Sequence, residues 1–137
     1  MTTVSEIMSS DVACIAESDT LEKAARVMAD LSVGAVPICD DQGNPVGIVT
    51  DRDIVVSCIA TGGDPTTTTA EGFVGDLVSV AAQDDIEDAL EEMQENQVRR
   101  VLVFDGGAFA GILSQADVAL AATSEDTGRT VAAVSMS

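Results

Sequence analysis

The chain repeats itself. Residues 16–41 reappear as 81–106 and, once Gln42 is skipped, residues 43–55 reappear as 107–119. Ala16/Ala81, Asp19/Asp84, Glu22/Glu87, Ala24/Ala89, Met28/Met93, Val33/Val98, Val36/Val101, Asp40/Asp105, Gly43/Gly107, Gly47/Gly111, Ile48/Ile112 and Asp53/Asp117 are identical between the copies. Leu21/Ile86, Ile38/Val103 and Val49/Leu113 exchange one apolar residue for another. A repeat of this length marks a folded unit rather than low complexity. Two such units predict a pseudo-two-fold pair with a cleft between equivalent elements.

Each copy reads helix, strand, helix, strand, strand, helix. In the first, Thr3 and Glu6 stand in capping-box spacing before a short helix at 4–8, and 12–16 reads as a strand. Ser18 or Asp19 is the expected cap of a helix striped by Leu21, Ala24, Ala25, Met28 and Leu31. Strands at 36–39 and 46–49 flank the turn 40–45, and a helix starts at Thr50 and runs to about Ala60. TGGDP and four threonines make 61–73 a linker between motif 1 (1–60) and motif 2 (74–122). The second copy predicts helices at 74–78, 86–93 and 114–122 and strands at 80–82, 100–104 and 109–113. Residues 123–137, with a weak VAAV patch, read as a tail. The fold class is α/β in the α+β sense: in each copy a three-stranded sheet with helices on one face, its first two strands parallel through a right-handed crossover.

The net charge is −18, from 24 acidic and 6 basic residues. That balance opposes nucleic-acid binding, in which neutralising phosphates dominates affinity. No apolar run approaches the length of a membrane span, and MTTVSEIMSS has no leader-like basic start, so the expected compartment is the cytoplasm. There is no histidine, which excludes histidine-based triads and acid–base schemes. Cys14, Cys39 and Cys58 have no zinc spacing, and the acidic pairs Asp40-Asp41, Asp84-Asp85 and Glu91-Glu92 fall at turns, caps and solvated faces. No metal site and no enzyme are expected.

The most informative motif is Gly47-Ile48-Val49-Thr50-Asp51-Arg52-Asp53, echoed by Gly111-Ile112-Leu113-Ser114-Gln115-Ala116-Asp117. In each, a strand end runs into Ser/Thr-x-x-Asp at a helix start. Such residues cap helices. The same geometry suits a nucleotide: free amides and a hydroxyl for phosphate, and a carboxylate for ribose hydroxyls. Arg52, Arg99 and Arg100 lie at the expected cleft edges, with Arg52 and Arg100 the better candidates for phosphate contact.

These motifs, with V-G-A-V-P-I in the first copy and Q-V-R-R-V in the second, resemble a pair of cystathionine-β-synthase (CBS) domains, a Bateman module, over about residues 4–122. The resemblance implies a non-catalytic regulatory module that binds an adenosine-containing ligand such as AMP, ADP or ATP in the cleft between motifs. Asp53 and Asp117 would hold ribose, with Thr50 and Ser114 supplying hydroxyls. Val12, Ala13, Val36 and Pro37 would enclose adenine in one site, and Val80, Val101 and Leu102 in the other. Leu102 stands where the first copy has Pro37, which marks the second pocket as differently shaped. CBS pairs commonly form homodimers through their helices, and Ala24, Ala25, Ala116 and Ala119 would allow close helix packing.

Cys14 and Cys39 fall on strands expected to be neighbours, close enough for a disulfide; two reduced, buried thiols are the alternative. The bridge motivates a second functional reading, a ligand-free, redox- or stress-responsive structural or interaction protein. Cys58 is expected in helical core.

Overall fold

A computed structural model of the chain describes residues 2–10, 12–75 and 77–127. In chain order the elements are α1 (Val4–Ile7), α2 (Leu21–Leu31), β1 (Ala35–Cys39), β2 (Pro45–Thr50), α3 (Asp51–Asp53), β3 (Ser79–Ala81), α4 (Ile86–Asn96), β4 (Arg100–Asp105), β5 (Ala108–Ser114) and α5 (Gln115–Thr127). Helix α3 continues as a π-helical stretch, Ile54–Ile59, and a 3-10 turn occupies Ala70–Phe73. The chain forms two compact units. One is Asp11–Leu77; the other joins the segment ending at Ser10 to the chain from Val78 onward.

In the Asp11–Leu77 unit, α2 buries Leu21, Ala24 and Met28. Ala25 and Leu31, expected on the same stripe, are exposed: the contact uses a narrower face than the apolar spacing offers. The N-cap is Thr20, whose hydroxyl accepts the Lys23 N–H at 3.2 Å. Asp19 instead closes the preceding turn, accepting the Ala16 N–H at 2.7 Å. The helix ends at Ser32 with φ 56°, and the Val33 N–H returns to the Met28 carbonyl at 3.0 Å, a left-handed stop. β1 and β2 pair antiparallel from Ala35↔Thr50 to Cys39↔Pro45. In the connecting turn, Asp40 accepts the amides of Gln42 and Asn44, each at 2.9 Å. These bonds, that of Asn44 first, hold its carboxyl below the usual carboxylate range. The predicted strand 12–16 reduces to one parallel bridge, Ile15↔Ile38, so this sheet has two strands rather than three. Ile15, Ile38, Val49 and Cys58 meet in the core.

The other unit keeps the full three-stranded sheet, β3-β4-β5, with β3 parallel and β5 antiparallel to β4. Gly106 (φ 60°) and Gly107 (φ 87°) form the two-residue hairpin turn, whose backbone favours glycine at both places. α4 buries Ile86, Ala89 and Met93, leaves Leu90 half-buried, and ends at Gln97, again with φ 56°.

The division of the chain differs from the one the repeat suggests. The start of the sequence closes the unit of the second copy: Val4 N–H donates to Asp84 O at 2.8 Å, Ile86 N–H to Thr2 O at 3.1 Å, and Val4 is wholly buried. The stretch expected to be a linker does the same for the first copy. Ala70 N–H donates to Asp19 O at 2.9 Å, Leu21 N–H to Thr68 O at 2.9 Å, and Ala70 is wholly buried. The helix expected at 74–78 is absent from its described residues; Val74 forms an antiparallel bridge to Gly47. Among the described residues no helix is long and apolar enough to cross a membrane. The tail expected at 123–137 begins inside α5; its VAAV patch lies outside the described residues.

Candidate functional site

Both copies of the Ser/Thr-x-x-Asp motif fold alike. β2 delivers Thr50 to the start of α3. Thr50 Oγ1 accepts the Asp53 N–H at 3.0 Å, and Asp53 Oδ2 accepts the Thr50 N–H at 3.0 Å. β5 delivers Ser114 to α5 with the same two bonds to Asp117, each 3.0 Å. These reciprocal bonds are capping boxes, with Asp in place of the usual Glu. Each Asp is half-buried. Its Oδ2 is engaged, whereas Oδ1 takes no hydrogen bond among the described residues. Each hydroxyl oxygen accepts one amide and still has its own proton to donate.

The free amides expected at the first helix start are already used. Asp51 N–H donates to Gly34 O at 3.0 Å, Arg52 N–H to Asp51 Oδ1 at 2.7 Å, and Asp53 N–H to Thr50. In the second copy Gln115 N–H is likewise taken, by Arg99 O at 2.8 Å. At the first helix start, what can reach an anion is the hydroxyl proton and the arginine side chains. Arg52 and Arg99 are exposed and Arg100 is half-buried. Among the described residues the ion pairs are Lys23–Asp19 (3.2 Å) and Arg26–Glu22 (3.4 Å), and neither uses Arg52, Arg99 or Arg100.

The apolar candidates separate by depth. Val12 and Ala13 are half-buried. Val36 and Val101 sit in the core of their own units at 0% and 1% exposure, so neither presents surface for a ligand to contact. Val80 belongs to that second core as well. Pro37 and Leu102 occupy matching positions, are buried, and stand outside the two apolar clusters, as strand alternation requires. Cys14 and Cys39 are joined as a disulfide, with Cα atoms 5.6 Å apart; Cys58 is free and buried.

Sequence reasoning treated Gly47 and Gly111 only as motif letters, although both belong to the identical pairs. Their role is spatial. A Cβ on Gly111 would lie 2.5 Å from the Ser9 carbonyl oxygen and 3.0 Å from Met8 Sδ, and one on Gly47 would collide with the Phe73 carbonyl oxygen. Each glycine seats the closing segment of its unit against the strand that carries the hydroxyl.

This architecture is that of tandem CBS domains. The CBS domain sequence family matches residues 4–58 and 74–124, and the chain belongs to it. It is 42% identical over 120 residues to hypoxic response protein 1 of Mycobacterium tuberculosis, covering 87% of this chain and 84% of the relative. A crystal structure of hypoxic response protein I with two coordinated zinc ions superposes with a TM-score of 0.71 at 42% identity, covering 86% of this chain and 97% of that one. A CBS domain protein from Pyrobaculum aerophilum complexed with AMP gives a TM-score of 0.74 at 25% identity, covering 85% and 89%. The chain has no histidine, two of its three cysteines are bonded to each other, and the described residues hold no group of three or more Cys, Asp or Glu placed to bind a metal.

Proposed function

We propose that this CBS-pair regulatory module binds an adenosine-containing ligand of the AMP, ADP or ATP kind, without catalysing a reaction on it. The observation that carries the reading is the duplicated capping box, which leaves Oδ1 of a half-buried Asp uncommitted in each unit. Asp53 and Asp117 accept ribose hydroxyls through that oxygen. Thr50 and Ser114 donate their hydroxyl protons to phosphate or ribose, with Arg52 the phosphate contact of the first motif and Arg100 that of the second. Val12 and Ala13, both half-buried, line adenine in the first motif. The similarity to a protein complexed with AMP supports the assignment. With a net charge of −18, AMP is favoured over ATP unless magnesium accompanies the triphosphate.

Thermal denaturation with millimolar AMP, ADP and ATP tests this. Ligand at about 100 times its Kd adds about 2.7 kcal/mol to the folded state. The absence of any shift, in oxidised and in reduced protein, ends the reading.

The disulfide favours a second reading, a stress-responsive interaction protein that needs no nucleotide, in keeping with the likeness to hypoxic response protein 1. In that case reductant lowers the melting temperature and AMP leaves it unchanged. We also propose that the module forms a homodimer in the cytoplasm. Of the alanines expected to pack across helices, Ala24 is buried inside its own unit, while Ala25, Ala116 and Ala119 are exposed. The π-helical stretch after α3 adds Val55, Val56 and Ile59, exposed by 56%, 46% and 54%, as an apolar surface for a second copy.

A further inference from the structure

The two copies hold the same backbone stretch by different means. In the unit of the second copy, β3 lies along β4 in three successive pairs, Ser79↔Leu102, Val80↔Val103 and Ala81↔Phe104. Hydrogen bonds beyond the strand extend this contact, from Leu102 N–H to Val78 O (3.0 Å) and from Ala82 N–H to Phe104 O (2.8 Å). In the first copy the matching stretch 12–16 keeps only the central pair, Ile15↔Ile38, through Ile15 N–H to Pro37 O (3.0 Å) and Cys39 N–H to Ile15 O (2.8 Å). At the positions of Ser79 and Phe104 stand Cys14 and Cys39, covalently joined. A disulfide thus stands beside a shortened strand ladder, in which Pro37 has no N–H to donate where Leu102 has one. The stretch it holds also carries Val12 and Ala13. Cys14 is exposed and Cys39 is 8% exposed, so a soluble thiol meets the bridge at Cys14.

We propose that Cys14–Cys39 is a reducible clamp that sets the nucleotide affinity of the first motif. The inference rests on the nucleotide reading above and adds its control. The reductant is a dithiol. One of its thiolates attacks the Cys14 sulfur, a mixed disulfide forms, and Cys39 leaves as a thiolate that takes up a proton. The second thiol of the reductant then attacks the mixed disulfide, forms the reductant's own S–S bond and releases Cys14, which is protonated in turn. Two electrons and two protons pass to the protein. Segment 12–16 is left with two hydrogen bonds to β1 and loosens from it, while β3, which never had a bridge, does not. A binding surface fixed beforehand binds more tightly than one that must be ordered by the ligand, so the oxidised form is the high-affinity form. In a reducing compartment a bridge of this kind is transient and signals, rather than serving as permanent reinforcement.

The test uses the full chain, air-oxidised and after treatment with excess dithiothreitol, with Cys14→Ser as a variant that cannot close the bridge. Amide hydrogen exchange without nucleotide should speed up about tenfold or more at Ile15 and Cys39 on reduction, and remain unchanged at Ala82 and Leu102. Calorimetric titration with AMP should give a Kd about fivefold or more lower for oxidised protein than for reduced protein or for Cys14→Ser. Equal exchange in the two states, or AMP bound equally or more tightly after reduction, overturns the clamp and leaves the nucleotide reading standing. AMP bound in neither state overturns the nucleotide reading and the control built on it together.

Discussion

Asp19 illustrates how one carboxylate couples a turn to solution conditions. The Ala16 amide, against opposing desolvation and with help from Lys23 at 3.2 Å, holds its pKa below the ordinary 3.8. A depressed folded pKa contributes stability that is complete above the unfolded value and is lost as pH falls through the folded one. Asp19→Asn should therefore cost roughly 0.5–1 kcal/mol at pH 7, a modest figure for a bond near solvent. Urea denaturation should find that gap closing as pH drops below about 4; a gap constant from pH 7 to pH 3 contradicts this account. At the motif, Asp53→Asn and Asp117→Asn separate capping from ligand binding. Asparagine retains an oxygen for the Thr50 or Ser114 amide and presents a single acceptor. Each change should weaken AMP binding by about tenfold or more, the loss of a charge-assisted bond, while the melting temperature without ligand moves little. Capping and the proposed sugar contact overlap in sequence, since an Asp three residues after Ser or Thr satisfies a cap whether or not a sugar ever arrives.

Among the elements, the seating of the closing segments has a direct test. Gly47→Ala and Gly111→Ala each push a methyl group into the main chain of the incoming segment. They should destabilise by about 1–3 kcal/mol in denaturant titration, the usual cost of overpacking a close contact. Gly72→Ala, which meets nothing within 4 Å, should stay within about 0.5 kcal/mol of wild type. Helices α2 and α4 and both hairpins were legible in the sequence, because their apolar spacing and Gly-containing turns admit few other structures. The closing segments were not. Val4 and Ala70 are equivalent in space and share only apolar character, and TGGDP with its threonines gives no sign that the end of that stretch is buried. Nor did the residues of 12–16 reveal that a single backbone pair would form, since side-chain character does not report the extent of a ladder. At the site, the capped Asp pair was readable from the repeat. The engagement of the amides of Asp51 and Arg52 depends on the path of Gly34 and on a local side chain, which spacing alone does not contain.

For the whole molecule, the proposed self-association makes a simple demand. A chain of 14.0 kDa that buries Val55, Val56 and Ile59 against a second copy should sediment at twice its mass, and Val56→Asp should return it to monomer with its folded spectrum intact. Wild type sedimenting as a monomer removes the proposed dimer. The threading of the chain carries another consequence. The first ten residues belong physically to the half that is made last, and the stretch following Gly63 belongs to the half made first. A nascent chain therefore cannot complete its first motif until about residue 75 has emerged, and cannot complete its second without recovering its own beginning. Loss of residues 2–9 would be felt at Asp117, more than a hundred positions away in sequence, before it was felt at Asp53.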